Sequence, residues 1–172
     1  SITDHDTIEG SKCAYKANFP QIEVLTGVEL STSYTPGTLH ILGYLISLDH
    51  PVLNNTLKTL QNARKERNPK IIQKLRNLGI DITYEDVLKI ADGGQIGRPH
   101  IAHVLVQKGI VRDINEAFDK YLNTKGPAYV EKFRLSPGEA IHLISEAGGI
   151  PVLAHPFTLE IEEEEILDEI IY

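Results

Sequence analysis

Residues 22–46 read IEVLTGVELSTSYTPGTLHILGYLI. Both ends of this stretch, 22–31 and 38–46, are rich in aliphatic and β-branched side chains, which predicts two strands. Between them, Tyr34-Thr35-Pro36-Gly37 has the composition of a turn, because proline presets its backbone angle and glycine tolerates positive φ. The stretch therefore predicts a pair of strands joined by a short connection.

Side chains that can bind metal ions recur beside the apolar runs of this chain. Glu29 and His40 lie inside the two predicted strands, and His155 follows the apolar run 150–153. Strand ends in an α/β barrel meet at one face, so side chains that are far apart in sequence can converge there. The pattern predicts one shared site, and five segments carry it: Asp4-His5-Asp6, Gly27-Val28-Glu29-Leu30-Ser31, Leu39-His40-Ile41-Leu42-Gly43, Arg98-Pro99-His100-Ile101-Ala102 and Leu153-Ala154-His155-Pro156.

The composition is typical of a globular protein, with 41% hydrophobic and 24% charged residues in a chain of 172. Asp and Glu number 24 against 17 Lys and Arg, and the net charge of -7 disfavours a protein that holds long nucleic acid through its phosphates. Small or short anionic substrates are compatible with this charge, because local cations can dominate a pocket.

The single cysteine, Cys13, cannot form an intrachain disulfide. No apolar run approaches the roughly 18–20 residues that cross a bilayer, and the first residues lack the layout of a signal peptide. We therefore expect a cytoplasmic protein with no membrane partner.

The middle of the chain, from Pro51 to about Arg134, has helical character. A stripe of apolar residues predicts a first helix that ends or kinks at Asn68-Pro69, because asparagine suits a cap and proline suits a first helical position. After Pro69 the apolar face continues until Gly79 closes it, with Ile71, Ile72, Leu75 and Leu78 on that face. Further helices are predicted at 84–91, 101–108 and 114–122, with capping-box spacing of Asp113 and Glu116 at the start of the last.

An αβ unit follows this region. Ser136-Pro137-Gly138-Glu139 predicts a helix start, Gly148-Gly149 predicts its end, and 150–153 predicts a buried strand that delivers His155. A last helix with an acidic face is predicted at 160–171. The predicted domains are a first barrel part at 1–50, a helical insertion at 51–134 and the continued barrel at 135–172.

Taken in order, the five segments resemble the PHP (polymerase and histidinol phosphatase) superfamily of metal-dependent phosphoesterases. The resemblance extends from residue 2 to about 156. It is closest to the branch with a helical insertion, which includes nucleoside 3′,5′-bisphosphate phosphatases and 5′-3′ exoribonucleases that trim short RNA. The resemblance implies an α/β fold, an incomplete and distorted TIM-like (β/α)7 barrel, with up to three metal ions at its strand ends.

The resemblance also implies a set of metal ligands. Imidazole and carboxylate donors suit manganese, zinc or iron, and a carboxylate can bridge two cations. Metal-activated water would then attack a phosphomonoester. The implied ligands are His5, Glu29, His40 and His155, with Asp4 or Asp6 orienting His5 or binding metal at the edge.

Substrate phosphate would be held by Arg64, Arg67 and His100, as the resemblance implies. The guanidinium fork is well shaped for phosphate oxygens. Simpler alternatives stay open at this stage: His100 could cap a helix that starts at Ile101, and the two arginines could belong to a solvated helix face.

Two motifs of the family, an initial His-x-His and a final Asp-x-His, are absent from the 172 residues. We therefore expect a fragment that binds fewer ions and is itself inactive or weakly active. For the intact protein we expect hydrolysis of nucleoside 3′,5′-bisphosphates or short 5′-phosphorylated oligonucleotides. The alternatives are a catalytically inactive PHP-like binding or regulatory module, and an enzyme that resembles histidinol phosphatase.

Overall fold

The computed structural model describes residues 1–17, 19–35, 37–91 and 94–160. The sheet unit comprises Ser1–Lys58 and the described residues from Arg134 onward, and the helical unit comprises Thr59–Phe133. The domain boundaries suggested by the sequence stay a prediction. In chain order the elements are α1 (Glu9–Ala17), β1 (Gly27–Ser31), β2 (His40–Tyr44), α2 (Pro51–Asn77), α3 (Tyr84–Ala91), α4 (Arg98–Gln107), α5 (Ile114–Ala117), a π-helical turn (Phe118–Leu122), α6 (Pro137–Glu146), β3 (Ile150–Ala154) and a 3-10 turn (Pro156–Leu159).

The strands form one sheet in the order β1-β2-β3, and both pairs are antiparallel. In the register, Ser31 faces His40 and His40 faces Ala154, so the end of β1, the start of β2 and the end of β3 share one edge. This differs from the sequence prediction, which placed ligands at strand ends as in a parallel barrel. The reason is that the hairpin reverses β2.

Only this three-stranded sheet is seen in the described residues, with an isolated parallel bridge from His5 to Glu29 at its β1 side. The chain thus has a mixed helix and strand fold, and the seven-stranded barrel stays a prediction. Two strands are also shorter than predicted, since the residues before Gly27 and after Tyr44 lie outside the ladder.

Helix α6 packs on β2 and β3. Its start was predicted correctly: Ser136 Oγ accepts from Glu139 N at 3.2 Å, and Ser136 N donates to Glu139 Oε2 at 2.7 Å. Gly43 lets the helix approach the sheet, because a Cβ at this position would lie only 3.0 Å from Ile144 Cγ1. Val28 and Leu30 are fully buried on the same face of β1.

Helix α2 runs through Pro69 without a break, so the predicted helix end at Asn68-Pro69 is wrong, while the alternative of a kink stays a prediction. An interior proline costs about 3 kcal/mol, but burial of a continuous apolar face outweighs that cost. On either side of the proline, Leu60, Ile71 and Leu75 are fully buried. Asn68 is therefore an interior residue of α2, and it does not cap a helix.

The rest of the helical unit follows the predicted pattern with changed bounds. Helix α4 begins at Arg98, three residues before the predicted start, because Gly97 and Pro99 suit a helix N-terminus. Asp113 caps α5 as predicted, since its Oδ1 accepts from Glu116 N at 2.9 Å. The predicted helix 114–122 is divided between α5 and the π-helical turn.

The predicted helix at 160–171 lies, apart from Glu160, outside the described residues. None of the described helices has the length and apolar character needed to cross a membrane. Cys13 is exposed and carries a free thiol.

Candidate metal centre

Four of the predicted ligands come together in the sheet unit. Glu29 is at their centre: its Oε1 lies 2.9 Å from His40 Nδ1 and 3.0 Å from His155 Nε2. The same two imidazole nitrogens are 3.1 Å apart. On the other side of the carboxylate, His5 Nδ1 lies 3.8 Å from Glu29 Oε2. The structure thus assembles three imidazoles around one carboxylate.

The sheet explains how these side chains meet. Val28 and Leu30 point to the α6 face, so Glu29 points to the opposite face. His40 pairs with Ser31, two residues after Glu29, and therefore lies on that same face as its diagonal neighbour. His5 is held beside Glu29 by the parallel bridge.

His155 follows β3 directly and has an unusual backbone conformation. Its φ of 30° and ψ of 65° lie in the left-handed region, which non-glycine residues seldom adopt. A backbone bond from Thr158 N to His155 O, 3.0 Å long, closes the turn that follows. His155 Nδ1 also lies 3.0 Å from Thr158 Oγ1. The sequence analysis did not single out Thr158, although a hydroxyl three residues after a ligand in a tight turn is a usable signal.

The electrostatics of Glu29 favour the ionised carboxylate. Burial acts to raise its pKa, but the hydrogen bond from His40, the charge of His5 and the hydrogen bond from His155 lower the pKa to about 2. The side chain is 15% exposed, whereas that of His5 is 46% exposed. Glu29 is therefore an anion that is largely shielded from solvent and lies beside the more exposed imidazole of His5.

The donor set fits a divalent cation. Glu29 Oε1, His40 Nδ1 and His155 Nε2 form a triangle with sides of 2.9, 3.0 and 3.1 Å. Donor atoms that bind one cation at about 2.1 Å lie about 3 Å apart, so this triangle has a suitable size. Carboxylate oxygen and neutral imidazole nitrogen are donor atoms that divalent cations such as zinc or manganese take in proteins, so the residues present fit such an ion.

Asp4 and Asp6 lie on either side of His5. Asp6 is fully buried, its Oδ1 accepts from Ser31 N at 2.9 Å and its own N donates to Glu29 O at 2.9 Å. Asp4 is exposed, and its carboxylate lies against Gly10, where any Cβ would clash with Asp4 Oδ2. Asp6 thus fastens the segment of His5 to β1, while Asp4 lies over the first turn of α1.

The predicted phosphate contacts lie in the helical unit. Arg64 and Arg67 are 9% and 3% exposed, which contradicts the alternative of a solvated helix face. A Cβ atom at Gly97 would lie 3.6 Å from Arg64 Nη1, so the guanidinium is next to this glycine. His100 Nδ1 accepts from Gly97 N at 3.1 Å, so this imidazole hydrogen-bonds to the N-cap residue of α4. The bond leaves Nε2 as the ring N–H, a donor that an anion could use.

Arg64, Arg67 and Asn68 form what we call the arginine cluster, and the role of Asn68 in it was not predicted from the sequence. It is 1% exposed, and its Oδ1 accepts from Arg67 Nε at 3.2 Å and from Arg67 Nη2 at 2.8 Å. Its Nδ2 donates to Ile96 O at 3.0 Å. The amide therefore holds the Arg67 guanidinium and ties α2 to the segment that precedes α4.

Comparison with known proteins identifies similar sequences and structures, although no family model matches the chain. A 5′-3′ exoribonuclease of Haemophilus influenzae is 36% identical over 157 residues, which are 91% of this chain and 57% of that protein. A 3′,5′-nucleoside bisphosphate phosphatase of Chromobacterium violaceum is 35% identical over 158 residues, 91% of this chain and 55% of that protein. These relatives confirm the resemblance to the PHP branch.

Solved structures agree with this PHP resemblance. An amidohydrolase from Chromobacterium violaceum, with bound sulfate and no metal, has a TM-score of 0.90 and 34% identity, and the match covers 99% of this chain and 61% of that one. A candidate metal-dependent phosphoesterase from Bifidobacterium adolescentis has a TM-score of 0.84 and 29% identity, over 99% of this chain and 62% of that one. The chain spans just over half the length of the curated relatives it matches.

Proposed function

We propose that this chain carries part of the metal centre of a phosphoesterase that hydrolyses phosphomonoesters by metal-activated water. The observation that carries the proposal is the Glu29 carboxylate with His40 and His155 within 3.0 Å of one of its oxygens. His5 on the other carboxylate oxygen supports a second, adjacent cation. We further propose that the complete fold is the distorted PHP barrel and that the protein is cytoplasmic.

Two groups of residues would have different roles, one holding metal ions and the other holding the substrate phosphate. His5, Glu29, His40 and His155 would hold divalent cations, with manganese as the first candidate and zinc or iron as the others. When bound, such a cation supplies an activated water at neutral pH. Glu29 contributes charge as well as ligand atoms, because its low pKa of about 2 keeps it ionised at any physiological pH.

The proposed substrates are nucleoside 3′,5′-bisphosphates or short 5′-phosphorylated oligonucleotides. Relatives with these activities in their names support the substrate class. We propose Arg64 and Arg67 as contacts of the substrate phosphate, because the guanidinium fork matches phosphate oxygens. His100, with Nε2 free to donate, is the third proposed phosphate contact.

Turnover of a generic phosphomonoester by the complete protein, supplemented with Mn²⁺, tests the proposal. His40→Ala removes a ligand, and we expect a loss of more than about 100-fold, the effect that removal of an outer partner of a ligand can already reach. His142→Ala is the matched control, because His142 is an exposed imidazole on α6. Equal turnover in His40→Ala and wild type would refute the proposal.

The same preparation distinguishes the alternatives. Metal binding without turnover of any phosphomonoester would favour the catalytically inactive binding module. A preference for histidinol phosphate over nucleoside 3′,5′-bisphosphate would keep the reaction and change the substrate.

A further inference from the structure

We propose that Phe157 binds the base of a nucleotide substrate by stacking, so that the site prefers phosphate esters that carry an aromatic ring. The inference rests on the proposed function and deepens it, because it names the residue by which a nucleotide would be distinguished from a simple phosphomonoester. It concerns the sheet unit alone, in which Phe157 lies two residues after His155.

Phe157 is the most exposed large apolar residue in the part of the chain that the structure describes. It is 84% exposed, compared with 64% for Ile22, which is next in order. Aromatic rings gain free energy when their faces are removed from water, and they favour other flat rings as partners. Phe157 therefore offers an aromatic surface that a bound molecule could cover.

The backbone around Phe157 holds the ring outside the protein. Thr158 N donates to His155 O at 3.0 Å, and Thr158 Oγ1 donates to Thr38 O at 2.7 Å. Thr38 N donates in return to Thr158 O at 2.7 Å, and the side chain of Leu159 is fully buried. The turn is thus fastened directly before and after Phe157. Its ring could turn inward only if these bonds were broken.

The ring also continues a row of rings that begins in the metal centre. The ring centroids of His5 and His40 are 4.8 Å apart, those of His40 and His155 are 5.0 Å apart, and those of His155 and Phe157 are 6.1 Å apart. The first three rings carry the nitrogens that we propose as metal ligands, whereas the fourth has no polar atom. An aromatic surface without charge therefore lies directly beside the proposed metal centre.

A nucleotide has the chemistry that matches this arrangement. Its phosphate is an anion that suits the metal centre, and its base, one sugar away, is a flat ring that stacks on aromatic side chains. Stacking needs no hydrogen bonds to the base, because every base has a π-face. We therefore expect the site to accept different bases and to prefer a nucleotide over a phosphate ester without a ring.

The test compares adenosine 3′,5′-bisphosphate with its abasic analogue, which keeps the sugar and both phosphates. We would measure kcat and KM for both compounds with the complete protein supplemented with Mn²⁺. In Phe157→Ala, kcat/KM for the nucleotide should fall about 10-fold to 100-fold, mainly through KM, which is the size of effect that loss of one stacked base gives. The value for the abasic analogue should not change.

Two further variants separate stacking from apolar contact in general. Phe157→Tyr keeps an aromatic face and should retain the preference for the nucleotide, whereas Phe157→Leu keeps apolar surface without a π-face and should lose most of it. Phe19→Ala is the matched control, because it removes another phenyl ring of the sheet unit that is 53% exposed. It should leave kcat/KM for both compounds unchanged.

Several outcomes would overturn the inference. Equal kcat/KM of the wild type for the two compounds contradicts it, and this measurement needs no variant to fold. It is also contradicted if Phe157→Ala keeps the wild-type preference, or if Phe157→Leu restores it in full. An equal loss for both compounds contradicts it as well, and a lower unfolding temperature of Phe157→Ala would then identify a packing role. Failure of the wild type to hydrolyse either compound refutes the proposed function instead.

Discussion

The metal cluster of the sheet unit and the arginine cluster of the helical unit are built in opposite ways. Glu29 and His155 are 126 positions apart, and only the register of three strands brings them together. Arg64, Arg67 and Asn68 lie within two turns of the single helix α2. The first cluster depends on long-range pairing, whereas the second needs only a helix and one partner segment before α4.

The two clusters also differ in the sign of their charge and in how that charge is stabilised. In the metal cluster, an anion is surrounded by imidazoles that lower its pKa, and it lies beside the more exposed imidazole of His5. In the arginine cluster, the guanidinium of the buried Arg67 donates to the oxygen of the Asn68 amide. Buried cations of this kind cost stability unless they are fully hydrogen-bonded.

The largest effect should come from Glu29→Gln, which keeps the shape of the central side chain and removes its charge. We expect Mn²⁺ affinity to fall by more than about 100-fold, because a ligand is affected and not merely its outer partner. Glu23→Gln, an exposed residue before β1, is the matched control in a calorimetric titration. Unchanged affinity in Glu29→Gln would mean that the cluster is not a metal site.

An intermediate effect is expected for Asn68→Ala in the arginine cluster. The substitution leaves Ile96 O without its donor and removes an acceptor from Arg67, so the free energy of unfolding should fall by about 2 kcal/mol. Urea denaturation measures this loss, and Asn77→Ala, an exposed amide on the same helix, is the control. A loss no larger than that of the control would show that the amide does not stabilise the cluster.

The smallest effect is expected on the stability of the fold at low pH. Because the pKa of Glu29 is lowered from 4.5 to about 2, the unfolded state binds more protons between these values, and the carboxylate stabilises the fold fully above pH 4.5. That contribution is lost as the pH falls from 4.5 toward 2. In metal-free protein, the stability difference between wild type and Glu29→Gln should therefore shrink over this range. A difference that stays constant in thermal unfolding scans would contradict the assignment.

What the sequence could predict was mostly local. The caps at Ser136 and Asp113 were predicted correctly, since each depends on residues only three positions apart. The four ligands of the metal cluster came from the resemblance to a family, because no local rule can say that side chains on separate strands will meet.

What the sequence could not predict was decided by packing. Pro69 indicates a helix end by propensity, yet buried neighbours carry α2 through it. The contact of the Thr158 hydroxyl with Thr38 O depends on how segments 120 residues apart are arranged. Burial of Arg64 and Arg67 was likewise invisible, because charged clusters in a sequence usually belong to the surface.

The hairpin register has a consequence for how the site could be altered without touching a ligand. Side chains alternate between the faces of a strand, so a slip of β2 by one residue would turn His40 toward α6 and bring Ile41 beside Glu29. The register of β1 with β2 thus decides whether the imidazole of His40 lies on the face of Glu29. A change of that register would separate His40 from Glu29 while leaving every side chain of the cluster unaltered.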